Sequence, residues 1–88
     1  MSQAEKALRA ILSGTQDRSL AFSDLRAVLD RLGFVCRVKG DHFIYTRQDV
    51  EEIVNLQPVG RQAKPYQVKQ VRQLILRYRL GGDLDAEV

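Results

Sequence analysis

Apolar residues recur with the period of an α-helix in the first third of this chain. Ser2 and Glu5 have the spacing of a capping box and Gly14 ends the stretch, so a first helix is predicted between them. A second helix is predicted from an N-cap at Ser23 to a terminal glycine at Gly33. The predicted apolar faces of the two helices consist of Ala4, Ala7, Leu8, Ile11 and Leu12, and of Leu25, Val28, Leu29 and Leu32.

After residue 33 the period changes to two, which is typical of half-buried strands. Gly40 and Asp41 suit a two-residue hairpin turn, because glycine tolerates the positive φ that such turns need. This turn pairs Lys39 with His42, and directly paired residues share one face of a sheet. The register therefore predicts an accessible outer face that contains Arg37, Lys39 and His42. The predicted core face contains Phe34, Cys36, Val38, Phe43 and Tyr45.

The rest of the chain predicts one more strand, a loop and a last helix. A turn at Gln48-Asp49 leads to a strand at residues 52–57, and residues 59–64 indicate a mobile loop. The last helix is predicted to begin near Pro65 and to stop at Gly81-Gly82. Its apolar positions at helical spacing are Val68, Val71, Ile75 and Tyr78.

The predicted order of elements is helix, helix, strand, strand, strand, helix. We expect an α+β fold in which helices cover one face of a three-stranded antiparallel sheet. Residues 22–80 then have the α-β-β-β-α order of the double-stranded-RNA-binding domain (dsRBD), and residues 1–14 form an accessory N-terminal helix. Residues 81–88 are expected to be a disordered acidic tail.

Composition narrows the class of protein. The chain has 88 residues, of which 44% are hydrophobic and 28% are charged, as in a single soluble domain. The sequence contains neither an apolar run of membrane-spanning length nor the pattern of a signal peptide, so we expect a cytoplasmic protein without a membrane partner. Cys36 is the only cysteine, which excludes an internal disulfide and suits a reducing compartment. One cysteine and one histidine cannot build a zinc site, and no cofactor is expected.

Positive charge is concentrated in the middle of the chain. Residues 1–36 carry a net charge of +1, residues 37–79 carry +5 and residues 80–88 carry −3. A basic stripe is typical of nucleic-acid binders, although a solvated face of lysines and arginines has the same composition. The basic segment also contains His42, the only histidine, and histidine is the side chain best suited to proton transfer near neutral pH.

Three segments together resemble a known family. They are Leu32-Gly33-Phe34 at the end of a helix, Lys39-Gly40-Asp41-His42 at the start of a strand, and the helix of residues 68–75. This pattern resembles the HicA-type toxins of bacterial toxin–antitoxin systems over residues 22–80. Members of that family are small dsRBD-like ribonucleases that cleave mRNA and are held inactive by a HicB-type antitoxin.

The resemblance implies roles for individual residues. The family signature is Gly-Ser-His at the start of the second strand, with a histidine that is essential for cleavage. Gly40 matches the glycine and His42 matches the catalytic histidine, whereas Asp41 replaces the serine. Phe43 stands where many members have a second histidine or an arginine. The predicted RNA-binding residues are Arg37, Lys39, Gly40, Arg61 and Lys64.

Cleavage of RNA without a metal needs a base for the ribose 2′-hydroxyl, an acid for the leaving oxygen and cations for the phosphate. His42 is the candidate base or acid, and Arg37 and Lys39 are candidate phosphate ligands. Because no second histidine is present, either Tyr45, a lysine or water assists with the other proton transfer, or catalysis is slow.

Two alternatives stay open at this point. A non-catalytic RNA-binding module on the same fold would need Arg37 and Lys39 but not His42, and its binding would fall steeply with salt. A protein-interaction domain would use the basic face to dock an acidic partner and would not bind RNA.

Overall fold

Three helices and three strands follow one another in the order α-α-β-β-β-α in the computed structural model, which describes residues 2–82. The strands form one antiparallel sheet in the order β1-β2-β3, so the fold is α+β, as predicted. Within the described residues, none of the helices has the length and apolarity needed to cross a membrane. The predicted acidic tail lies, from residue 83 onward, outside the described residues. The elements are α1 (Gln3–Ser13), α2 (Phe22–Arg31), β1 (Val35–Lys39), β2 (His42–Arg47), β3 (Val50–Leu56) and α3 (Pro65–Tyr78).

Local sequence signals set both ends of α1 and the end of α2. The Ser2 hydroxyl accepts a hydrogen bond from the backbone N–H of Glu5, and Gly14 adopts a φ of 73° at the C-cap. At the end of α2 Gly33 has a φ of 86°, and the N–H of Phe34 donates to the carbonyl of Leu29 over 3.1 Å. That bond and the buried Phe34 ring complete a Schellman motif. These three predictions are confirmed.

Two helix ends differ from the prediction, and tertiary contacts explain both. Helix α2 begins at Phe22 rather than after Ser23, because the N–H of Phe22 donates to the Arg61 carbonyl over 2.8 Å. Helix α3 ends at Tyr78, before the two glycines, with Arg79 in the left-handed conformation. The next residue, Leu80, packs against the core and donates its N–H to the Ile75 carbonyl over 2.9 Å. An apolar contact therefore ends the helix early.

The hairpin between β1 and β2 has the predicted register. Lys39 pairs with His42, and Cys36 pairs with Tyr45. Gly40 has a φ of 62°, and Asp41 is not among the residues with a positive φ, which is the pattern of a type II′ turn. A Cβ atom added at Gly40 would meet nothing within 4 Å, so the turn needs glycine for its backbone conformation and not for space.

One hydrophobic core lies between the sheet and the helices. Helix α1 contributes Ala7, Leu8, Ile11 and Leu12 to the same cluster as α2, α3 and the sheet. On the core face of the sheet Tyr45 and Phe34 are buried, and Cys36 and Phe43 are partly buried. Val38 lies on that face too, but its side chain is 60% exposed, so the prediction that it belongs to the core is wrong. Because β1 is an edge strand, the helices do not reach over its end.

Backbone hydrogen bonds hold the segment of residues 59–64, which the sequence predicts to be mobile. Val59 and Gln62 exchange two hydrogen bonds of 2.9 and 3.0 Å across a turn. Ala63 donates its N–H to the carbonyl of Leu20 over 2.9 Å and is buried. The segment therefore pairs with the chain that enters α2 and is part of the fold.

Candidate active site

His42 is the first residue of β2 and lies on the face of the sheet that the helices leave open. Its side chain is 46% exposed, directly across the hairpin from Lys39. Arg37 lies on the same face, because it pairs with Ile44, two residues beyond His42. This placement of an accessible histidine beside two cations agrees with the predicted register. The catalytic role of His42 stays a prediction.

The His42 ring is held by a residue of the neighbouring strand. Its Nδ1 lies 3.0 Å from the Oδ1 atom of Asn55 on β3. An amide oxygen can only accept a hydrogen bond, so this contact requires a proton on Nδ1. In the neutral ring Nε2 then keeps its lone pair. The Asp41 carboxylate lies close to Nε2, with its Oδ1 atom 3.6 Å away.

A second chain of contacts holds that carboxylate. Gln57 donates its side-chain N–H to Asp41 over 2.6 Å and accepts a hydrogen bond from the Lys64 ammonium over 3.3 Å. The hydrogen bond from Gln57, helped by the nearby charges of His42 and Lys64, holds the pKa of the Asp41 carboxyl below its usual range. Asp41 is therefore a carboxylate at neutral pH, and it can pair with a protonated His42.

The predicted RNA-binding residues do not all come together. Lys64 joins the network around Asp41, and Arg37, Lys39 and Gly40 belong to the hairpin itself. Arg61 lies instead on the turn that pairs with residue 21. Within residues 2–82, no hydrogen bond or ion pair joins its side chain to the network around His42.

Asn55 and Gln57 are the site residues that the sequence interpretation missed. Asn55 lies on β3 and Gln57 directly follows its last residue, and the sheet register pairs Asn55 with Ile44 on the outer face. Side chains alternate between the two faces of a sheet along each strand. Pairing the third predicted strand with β2 in the same way would have placed both amides on the outer face. Polar residues at alternate positions of a predicted strand are the signal.

Tyr45 cannot serve as the partner of His42 in proton transfer. Its side chain is fully buried on the opposite face of the sheet, where the hydroxyl accepts a hydrogen bond from Nε of Arg26 over 2.9 Å. Burial raises the pKa of Tyr45 to about 12. This side chain is a structural element of the core.

The exposed face can exchange a proton through Nε2 of His42 and can bind an anion through its cations. No group of three histidine, cysteine or acidic side chains suited to a metal ion is present in residues 2–82. Comparison of the chain with protein-family models, with curated proteins and with solved structures finds no match. The resemblance to the HicA-type toxins therefore stays a hypothesis.

Proposed function

We propose that this protein is a metal-independent endoribonuclease that cleaves mRNA, the toxin of a type II toxin–antitoxin system of HicA type. The observation that carries the proposal is the exposed His42 ring, held by Asn55 through Nδ1 and flanked by cations on the open sheet face. The α-β-β-β-α order of residues 22–80 supports a dsRBD-like fold, to which α1 is added.

The proposed reaction uses Nε2 of His42 as the base. Nε2 takes the proton of a ribose 2′-hydroxyl, and the 2′ oxygen attacks the adjacent phosphorus. The bond from phosphorus to the 5′ oxygen breaks, which leaves a cyclic phosphate on one fragment, and water protonates the departing oxygen. The imidazolium that forms is stabilised by the Asp41 carboxylate, and Arg37 and Lys39 offset the charge on the phosphate.

The proposed partners are an mRNA substrate and a HicB-type antitoxin, both in the cytoplasm. An antitoxin that blocks this reaction must cover His42, and acidic side chains would complement Arg37 and Lys39 on the same face. Co-expression with an adjacent small open reading frame of HicB type is expected to restore growth that the toxin arrests.

A non-catalytic RNA-binding module is the second candidate, and one observation favours it. Within the described residues, the side chains against the ring nitrogens of His42 are Asn55 and Asp41, and neither carries a proton to give at neutral pH. Binding through Arg37 and Lys39 would not need such a proton donor.

Cleavage of RNA by the purified chain in EDTA tests the proposal. His42→Ala is expected to lower the rate about 10²- to 10⁴-fold, the usual effect of losing a general base. RNA binding by this variant should persist, because the cations remain. Lys39→Ala should weaken binding and reduce its salt dependence, whereas Lys6→Ala, on the exposed side of α1, removes the same charge without effect. Intact RNA after incubation with the wild-type chain, together with salt-dependent binding, would favour the second candidate.

A further inference from the structure

We propose that Asn55 is a positioning residue for His42: its amide oxygen holds the proton on Nδ1 and thereby presents the lone pair of Nε2 to the RNA. The inference rests on the proposed ribonuclease function. It means that the site needs a residue of β3 in addition to the residues of the β1–β2 hairpin. The 3.0 Å contact between Nδ1 of His42 and Oδ1 of Asn55 carries it.

The two neighbours of the ring favour opposite tautomers. Asn55 accepts from Nδ1, whereas the Asp41 carboxylate would accept from a protonated Nε2. At 3.6 Å the contact with Asp41 is too long for a hydrogen bond, and at 3.0 Å the contact with Asn55 is within the usual range. The neutral ring is therefore protonated on Nδ1 and basic on Nε2. After proton transfer, Nδ1 keeps its hydrogen bond to Asn55, and the negative charge of Asp41, 3.6 Å from Nε2, stabilises the imidazolium.

Stability of the fold does not require this hydrogen bond. Asn55 and His42 are both exposed, so water can satisfy their polar atoms when the contact is lost. What the contact determines is the orientation of the ring and the nitrogen that carries its proton. Orientation of this kind matters for a catalytic base and does little for a surface histidine.

The strand beneath Asn55 is anchored firmly enough for this role. Leu56, the next residue, is fully buried, and the backbone N–H of Gln57 donates to the side chain of Gln67 on α3. Gln67 is itself buried. The core and α3 thus fix the backbone at the end of β3, and this fixes the position from which the Asn55 amide contacts His42.

The tautomer of His42 can be measured directly. The chain contains a single histidine, so in a tag-free, isotope-labelled sample both ring-nitrogen signals belong to His42. Nitrogen NMR at a pH where the ring is neutral should show the proton on Nδ1 in the wild type. Asn55→Leu should move it to Nε2, toward Asp41, and Asn55→Asp should keep it on Nδ1. Ile53→Ala, an exposed change two residues away on the same strand, should leave the ring unchanged.

Kinetics of RNA cleavage complete the test. Asn55→Leu should lower kcat about tenfold, the effect of one hydrogen bond, with little change in KM. Asn55→Asp should retain activity, because a carboxylate oxygen also accepts a hydrogen bond from Nδ1. These two variants separate a positioning role from a contact with RNA, which would change KM.

A wild-type ring protonated on Nε2, or a tautomer that Asn55→Leu leaves unchanged, overturns the role of Asn55. A switched tautomer with an unchanged kcat does so as well. Failure of the proposed function has a different signature, namely no cleavage by the wild-type chain. The NMR measurement needs no RNA, so it distinguishes the two failures.

Discussion

Replacing Tyr45 by phenylalanine tests the structural role of this tyrosine and the division of the sheet into two faces. The change removes one hydroxyl from a fully buried side chain and leaves the ring in place. The lost interaction is the 2.9 Å hydrogen bond donated by Arg26. Arg26 keeps its position over the Phe43 ring, 4.4 Å from the centroid, and is only partly buried, so water can reach the freed N–H.

The expected loss of stability at pH 8 is therefore that of one hydrogen bond, about 1 kcal/mol in the free energy of unfolding. The ring still fills its site, so no cavity contributes to the loss. RNA cleavage by Tyr45→Phe should equal that of the wild type, because Tyr45 lies on the core face and His42 on the outer face.

At alkaline pH the Tyr45→Phe variant should become more stable than the wild type. Burial raises the pKa of Tyr45 to about 12, against an ordinary value of 10.0. The stability that comes from the neutral phenol is complete below pH 10 and is lost as the pH rises through 12. A shift of two units corresponds to about 3 kcal/mol. Set against a hydrogen bond of about 1 kcal/mol, this makes the phenylalanine variant the more stable protein above about pH 11.

Urea unfolding of both proteins at several pH values between 8 and 11.5 measures this difference. Subtracting the variant from the wild type cancels the other groups that titrate in this range, including Tyr78. A difference that stays constant with pH would show that the Tyr45 phenol titrates alike in the folded and unfolded chains. Loss of RNA cleavage in a folded Tyr45→Phe would refute the assignment of the two faces.

Three further changes test other features. Gly40→Ala should lower the free energy of unfolding by about 1–2 kcal/mol in urea titrations, because Gly40 has a positive φ; an unchanged midpoint contradicts this. Gln57→Leu should raise the pKa of the Asp41 carboxyl toward its ordinary value, since the hydrogen bond that lowers it is lost; carbon NMR titration would show no shift if the contact is absent. Ile11→Ala should cost about 2–5 kcal/mol, since Ile11 is fully buried; a loss below about 1 kcal/mol would mean that α1 is accessory.

The parts of the fold that the sequence predicts well depend on neighbouring residues. The cap at Ser2, the left-handed Gly33 and the turn at Gly40 each act within a few residues, so the sequence contains the whole cause. Ser23 fails as a helix start because the N–H of Phe22 donates a hydrogen bond to the carbonyl of Arg61, which is distant in the sequence. Helix α3 ends before the two C-terminal glycines because Leu80, which precedes them, packs against the core.

The residues of the candidate site also fall into those placed by local sequence and those placed by distant contacts. A two-residue turn determines the hairpin register, and with it the pairing of Lys39 with His42. Asn55 lies 13 residues beyond His42, on a strand whose register with β2 shifts between Tyr45 and Arg47, and the turn residues alone do not predict that shift. The charge of Arg61 and its place in a loop favour an RNA-binding role, but neither of these determines which side chains lie near it.

By itself the sequence determined the order of the elements, the concentration of positive charge and the face of the sheet on which His42 lies. Each of these follows from backbone periodicity or from a tight turn, where the physical cause spans a few residues. Only the packed fold brings Asn55 within 3.0 Å of Nδ1 of that ring and leaves Val38, at the end of β1, exposed to solvent. These outcomes depend on which strand lies beside β2 and on how far the helices extend over the sheet, and that is settled only when the whole core packs.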